Sequence, residues 1–185
     1  MKTYYKGIDF WKESKPEDKR IEYPMNESVV KEAEEILGVQ LPKSYLQLLH
    51  QQNGGELTYP YFELEFKDVE EEELFTRREE IRYIEGICLE KDDISIMSSK
   101  EMLEEEFLER NGISVLSNEF VVLWSDYHHW LVLDYRTTKE NPPVLFIFED
   151  YSGKEITWNS RKVGDTFEDF SAKLFRLPYV DPKKL

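Results

Sequence analysis

The sequence predicts a single α+β domain, and two observations lead to that class. Segments with the apolar spacing of helices stand toward both ends of the chain, and short runs rich in valine and aromatic residues lie between them. No internal repeat or low-complexity linker divides the 185 residues, a length that suits one domain. We therefore expect a central, mostly antiparallel sheet flanked by N-terminal helices and closed by a C-terminal helix.

A β-hairpin is predicted at the centre of this sheet. Two apolar runs, Val121–Trp124 and Trp130–Leu133, stand on either side of a polar break at Ser125–His129. Runs this short, rich in Val and Trp and separated by turn-compatible residues, are typical of a hairpin. Val144–Phe148 is a third apolar run, so the hairpin is expected to extend into a three-stranded meander.

Helical spacing of apolar residues predicts two helices before the sheet and one after it. Asn26 offers an N-cap to the first, which we expect over Glu27–Leu37. The second is expected over Pro42–Gln52, where a pair of glycines stops it. The third opens on a capping box of Thr and Asp and is expected over Thr166–Phe175.

The remaining segments give shorter elements. Leu57–Phe66 alternates in polarity, but the phase slips near Pro60, which predicts a strand with a bulge or bend. Ile81–Cys88 is expected to be a short strand or loop on the sheet, and Lys154–Trp158 one more strand. Ser98 opens a second capping box, which predicts a helix from there through about Arg110.

These elements divide the chain into three expected parts. Residues 1–24 form an N-terminal arm whose Phe10 and Trp11 pack on the domain. Residues 25–177 form the domain, and residues 178–185 form a C-terminal tail. Cys88 is the only cysteine and has apolar neighbours, which favours a buried structural thiol over a nucleophile.

The charge balance indicates the kind of partner. Thirty-nine acidic residues against 24 basic ones give a net charge of −15. Such a surface repels nucleic acid phosphates and anionic membranes, and it attracts and steers a basic protein. Solubility alone also accounts for the charge. The chain has no apolar run of signal-peptide or membrane-spanning kind, so we expect a cytoplasmic protein.

Two segments could carry function. In the first, Asp126, His128 and His129 could form an acid–base or metal site. Consecutive histidines on an extended chain point to opposite faces, however, so turn residues are the favoured interpretation, and we assign no catalytic, metal or cofactor residue. The second segment is the acidic run 68–73, expected to be an exposed loop. The candidate partner-binding residues are Asp126, Tyr127, His128, His129, Glu70, Glu71 and Glu72.

Three stretches of the chain, in the order in which they occur, resemble a known family. Val30–Gly55 is similar to the opening helices of the SUKH superfamily. Trp130–Arg136 followed by Asn141–Val144 resembles its central hairpin and strand, and Gly164–Leu174 its closing helix. The hairpin turn departs from the family, which usually has glycine there. The segment 111–118 also departs, because it is longer and lacks proline.

The resemblance implies a protein-binding domain without enzymatic activity. The superfamily is named for bacterial immunity proteins, which bind and neutralise secreted toxins, often nucleases, and for fungal regulators of cell-wall glucan synthesis. An immunity role would pair this acidic chain with a basic toxin domain, with no cofactor. A regulatory adaptor is the alternative. A small enzyme using Asp126, His128 and His129 is the third possibility.

Overall fold

The computed structural model describes residues 1–13, 23–67, 74–90, 95–98, 119–126, 128–150 and 157–178. It confirms the predicted α+β class, and all strand pairings within these residues are antiparallel. The helices are α1 (Glu27–Leu37), α2 (Lys43–Leu49) and α3 (Phe167–Lys173). The strands are β1 (Thr3–Tyr4), β2 (Gly55–Glu56), β3 (Tyr61–Lys67), β4 (Leu74–Glu80), β5 (Tyr83–Ile84), β6 (Phe120–Ser125), β7 (His129–Asp134), β8 (Val144–Asp150), β9 (Thr157–Gly164) and β10 (Phe175–Arg176).

The predicted hairpin and meander are confirmed as part of a four-stranded sheet in the order β6-β7-β8-β9. Its central strands are buried on both faces. One face joins the main core through residues such as Leu131 and Leu133. The other face forms a separate buried cluster that includes Trp130 and Val132. Burial on both faces explains why these strands are continuous apolar runs and not alternating ones.

A second four-stranded sheet, in the order β1-β10-β3-β4, packs on the first. The contact between the sheets is aromatic. Phe62 of β3 meets Phe146 of β8 at 5.1 Å between ring centroids, and Phe66 meets Phe148 at 5.6 Å. The core therefore lies between the two sheets and is closed by α3, whose Phe170 also contacts Phe62.

The helices before the sheets begin and end for local reasons. The side chain of Asn26 accepts a hydrogen bond from the N–H of Val29, which caps α1 as predicted. Gly38, at φ +68°, provides the left-handed residue that ends it. The prediction of a second helix over Pro42–Gln52 was too long, because α2 ends at Leu49 and tighter turns follow.

In the region of β2 to β4, one strand prediction differs from the structure and one strand was missed. Leu57–Phe66 is not one bulged strand, because Pro60 separates β3 from a short bridge that Leu57 makes with Trp11. The strand β4 was not predicted at all. It follows directly on the acidic run and is exposed along nearly its whole length, so its sequence shows no apolar face.

The C-terminal elements differ from the prediction in length. β9 extends to Gly164, well beyond the predicted end at Trp158, and its polar residues fit the edge of a sheet. Thr166 caps α3 by accepting a hydrogen bond from the N–H of Asp169, as the capping box predicted. The helix ends at Lys173 and not at Phe175, because Phe175 is buried in β10 between β1 and β3.

The arm residues Phe10 and Trp11 pack on the domain as expected. Phe10 is fully buried, and the indole N–H of Trp11 donates to the carbonyl of Leu48 at 2.9 Å. Cys88 is buried and, as the only cysteine of the sequence, forms no disulfide within the chain. The predicted helix through about Arg110 lies outside the described residues beyond Ser98, as do Tyr127 and the run 68–73.

Candidate partner-binding site

A groove of about 590 Å³ separates β4 and β5 from the turn between β6 and β7. One wall comes from β4 of the second sheet and from β5, which pairs with β2 in a separate two-stranded sheet, and the opposite wall comes from the hairpin turn and the strands behind it. Two of the predicted candidates, Asp126 and His129, line it. Its lining residues are Arg78, Glu79, Glu80, Arg82, Tyr83, Trp124, Ser125, Asp126, His129 and Phe146.

The carboxylate of Asp126 holds the turn closed. It accepts hydrogen bonds from the backbone N–H groups of His128 at 3.1 Å and His129 at 2.8 Å. Its oxygens also lie 3.0 and 3.1 Å from Nδ1 of His129. Burial alone would raise the pKa of Asp126, but the hydrogen bonds and charge of His129 and the two N–H groups hold it below its ordinary value. Asp126 is therefore ionised at neutral pH.

The two histidines bind different carboxylates. Nδ1 of His128 lies 2.8 Å from Oε2 of Glu149, whose side chain is only 3% exposed. His129 instead pairs with Asp126 and stacks on Phe146 at 5.4 Å between ring centroids. The ring of His128 remains 56% exposed. The turn thus presents one imidazole to solvent and the other to the groove.

This arrangement determines what chemistry the turn offers. A carboxylate that binds Nδ1 of a histidine orients the ring, as Asp126 does for His129, and such a pair can serve as a general base. The structure does not bring His128 into the same pair. In the part of the chain that the structure describes, no group of three or more His, Cys, Asp or Glu side chains could hold a metal ion.

The acidic candidates Glu70, Glu71 and Glu72 lie outside the described residues, as does Tyr127. The residues that flank the acidic run are described. Phe66 and Phe75 face each other across β3 and β4 and stack at 5.4 Å, and Phe66 also contacts Phe148. Phe148 pairs directly with His129. Phe66 and Phe75, which flank the run, therefore lie on the same side of the fold as the hairpin turn.

Sequence reasoning missed the arginine side chains that flank this region. The guanidinium of Arg77 lies 4.7 Å from the ring of Phe66 and 5.4 Å from that of Phe148. Arg161 of β9 lies over the same two rings at 5.7 and 5.9 Å. Arginine stacked on aromatic rings is common at binding hot spots. The only sequence signal was the pair Arg77-Arg78 within an otherwise acidic segment.

The family model of the SMI1 / KNR4 family (SUKH-1) matches residues 24–173, which is most of the chain. The chain belongs to the SMI1 / KNR4 family (SUKH-1). Comparisons of this SUKH-1 chain with curated proteins and with solved structures gave no match. No helix in the described ranges is both long enough and apolar enough to cross a bilayer.

The residues that carried the resemblance are structural in this SUKH-1 chain. Asp134 accepts two hydrogen bonds from the guanidinium of Arg136, each at 2.8 Å. Its own N–H donates to the carbonyl of Pro143. The hydroxyl of Tyr135 donates to the carbonyl of Gln40 at 2.6 Å, which ties the hairpin to the connection between α1 and α2. These residues stabilise the base of the hairpin, at the end opposite to the groove.

Proposed function

We propose that this SUKH-1 chain is an immunity-type protein that binds a cognate secreted toxin, a nuclease, and blocks its active site. Family membership over residues 24–173 is the observation that carries the proposal. The superfamily that the sequence resembles includes bacterial immunity proteins, which supports this role. The protein acts in the cytoplasm by stoichiometric binding and needs no cofactor.

The charge of the chain supports a basic partner. A nuclease must bind phosphates, so its active-site cleft tends to be positively charged. A protein of net charge −15 is suited to dock on such a cleft, and the attraction speeds encounter. Salt screens interactions between exposed charges, so association should slow as ionic strength rises.

The hairpin turn and the acidic run are the surface that we propose for docking. Asp126 is ionised, and His128 is exposed at a turn whose shape is fixed by three hydrogen bonds to one carboxylate. A turn held in one conformation loses little conformational freedom on binding. Tyr127 and the carboxylates of Glu70, Glu71 and Glu72 complete the surface in this proposal.

The decisive experiment is co-expression with the toxic protein encoded by the adjacent open reading frame. We expect the chain to rescue growth and to form a one-to-one complex whose association slows with salt. His128→Ala and Asp126→Asn should each weaken the complex at least about fivefold, as expected for anchor residues. His50→Ala is the matched control, because His50 is also exposed but lies at the end of α2. Rescue without a complex would refute the proposal.

A regulatory adaptor is the second candidate, because the description of the matching family names SMI1 and KNR4, and the superfamily that the sequence resembles includes regulators of cell-wall synthesis. An adaptor predicts stable co-purification with endogenous proteins and no rescue from the toxin. An enzyme predicts turnover by the isolated chain that His129→Ala abolishes. The co-expression experiment therefore separates immunity from the adaptor, and the turnover assay of the isolated chain tests the enzyme.

A further inference from the structure

One ring nitrogen of His129, Nε2, makes no hydrogen bond within the described part of the chain. The other ring nitrogen, Nδ1, lies 3.0 and 3.1 Å from the two carboxylate oxygens of Asp126, and the ring stacks on Phe146. The side chain of His129 nevertheless keeps 30% of its accessible surface and lines the groove beside the hairpin turn. The ring is therefore held in place while one of its nitrogens is left for a ligand in the groove.

Asp126 determines what kind of ligand that nitrogen can bind. A carboxylate only accepts hydrogen bonds, so the single proton of the neutral imidazole is on Nδ1. In this tautomer Nε2 carries a lone pair and is an acceptor. The carboxylate is itself held by the backbone N–H groups of His128 and His129. The partner that Nε2 of His129 requires is therefore a hydrogen-bond donor.

The charges of the groove favour a donor that is also a cation. Three carboxylates and two guanidinium groups line it. Both guanidinium groups have neighbours of their own, because Arg78 lies over the ring of Tyr61 at 5.1 Å and Arg82 lies 3.4 Å from Glu80. Among the residues that the structure describes, Asp126 pairs with no lysine or arginine. The turn side of the groove thus offers a carboxylate and a lone pair without a cation between them.

We propose that the groove binds an arginine side chain of the partner and that His129 is its specific acceptor. The proposal rests on the proposed function, because the basic toxin supplies the arginine. Both walls offer an acceptor, Nε2 of His129 on one and the 41% exposed carboxylate of Glu80 on the other. A planar guanidinium with donors on several edges suits such walls better than the compact ammonium of lysine. Asp126 is a positioning residue that fixes the tautomer.

A titration of the isolated, isotope-labelled chain with N-acetylarginine methylamide tests this site without a toxin. Nitrogen–proton correlation spectra of the histidine rings are recorded at about pH 8, where an ordinary histidine side chain is neutral. We expect the unprotonated nitrogen of His129 to be Nε2, and its resonance to shift saturably with a Kd on the order of 1 mM. The resonances of His50, at the end of α2, should not shift.

A second probe tests whether the charge of the ligand matters. N-acetylcitrulline methylamide has nearly the same shape as the arginine probe but carries no charge. Hydrogen bonds from a charged donor are stronger than those from a neutral one, so the citrulline probe should bind at least about tenfold more weakly. Both titrations are made at the same ionic strength, because salt screens exposed charges.

Two substitutions separate the acceptor from the residue that positions it. His129→Phe keeps a ring to stack on Phe146 but removes the acceptor, so binding of the arginine probe should weaken at least about tenfold. His50→Phe is the matched control and should bind the arginine probe as the wild type does.

Asp126→Asn should act through the tautomer. Oδ1 of Asp126 accepts both backbone N–H groups, so the amide nitrogen of the asparagine would lie toward Nδ1 of His129 and donate to it. The ring proton then moves to Nε2, which becomes a donor. We expect the two ring nitrogens of His129 to exchange their protonated and unprotonated resonances, and binding of the arginine probe to weaken as much as in His129→Phe.

Three results would each overturn the proposal: no saturable shift in the wild-type chain, equal binding of the two probes, or unchanged binding by folded His129→Phe. Circular dichroism checks the folding of every variant. If His129→Phe does not fold, Asp126→Asn decides, and an exchanged tautomer with unchanged arginine binding would overturn the proposal. A toxin complex that His129→Phe leaves intact would refute this inference and spare the proposed function. Arginine binding without rescue of growth would support the site and refute the toxin as its partner.

Discussion

The two ends of the central hairpin use polar side chains in different ways. At the base, Asp134 and Tyr135 are buried, and the Tyr135 hydroxyl bonds to Gln40, which is 95 residues away in the chain. At the turn, the side chains of Asp126 and His128 are 46% and 56% exposed. The bonds of Asp126 reach no farther than the next three residues.

This difference separates residues at the base, which connect distant parts of the fold, from Asp126, which fixes the exposed turn that we propose binds a partner. A long-range bond between buried groups connects distant elements, and its loss leaves a buried polar group unpaired. A local bond at an exposed turn fixes only the shape of that turn. The family motif lies at the base, so it identifies the fold. The turn is where our proposal places partner binding.

The largest effect is expected at the base, from Asp134→Asn. The carboxylate accepts two charge-assisted hydrogen bonds from Arg136, and hydrogen bonds of this kind contribute about 2 kcal/mol. We expect the free energy of unfolding to fall by about 2 kcal/mol. Urea denaturation at pH 7, read by tryptophan fluorescence, measures it. A loss below about 0.5 kcal/mol, typical of an exposed ion pair, would contradict a structural role for the base.

The same substitution has a predicted dependence on pH. Burial alone would raise the pKa of Asp134, but the hydrogen bonds and charge of Arg136 hold it below its ordinary value. A carboxyl with a lowered folded pKa stabilises the fold above its unfolded pKa of about 3.9, and this contribution is lost as pH falls through the folded pKa. The difference between wild type and Asp134→Asn should therefore be constant from pH 5 to 7 and shrink below about pH 4. A difference between the two proteins that increased as pH fell would contradict the prediction that ionised Asp134 stabilises the fold.

A smaller loss is expected from Tyr135→Phe. The substitution keeps the buried ring and removes only the hydroxyl that donates to Gln40. One neutral hydrogen bond contributes about 1 kcal/mol, so the free energy of unfolding should fall by about that amount. Thermal and urea unfolding measure it, with Tyr4→Phe as the control because Tyr4 is exposed. Equal losses for the two variants would show that the bond to Gln40 does not hold the base.

The strands of the hairpin could be predicted from the sequence, because they are buried on both faces. Strands buried on both faces must be apolar at every position, so β6 to β8 stand out as continuous runs. Helix caps are similarly local, and Asn26 and Thr166 are found in the predicted roles. These signals arise from residues within a few positions of each other, which a single sequence displays directly.

The groove could not be predicted, because its two walls come from segments far apart in the chain. The wall that β4 contributes is formed by charged residues with no apolar face, so neither periodicity nor composition marks it as a strand. The strand β4 forms because it pairs with β3. The sequence also could not predict that His128 and His129 bind different carboxylates, because Glu149, the partner of His128, comes from a different strand.

The smallest effect on stability is expected at the turn, from Asp126→Asn. Asparagine keeps an oxygen that can accept from the N–H groups of His128 and His129, and the lost charge is half exposed. We expect the free energy of unfolding to change by less than about 0.5 kcal/mol, as for other exposed ion pairs. Urea denaturation of Asp126→Asn and Asp134→Asn under the same conditions compares the loss of unfolding free energy at the two carboxyls. A loss at Asp126 equal to that at Asp134 would show that the turn belongs to the scaffold, whereas a small loss joined to weakened toxin binding would assign the two ends of the hairpin to different tasks.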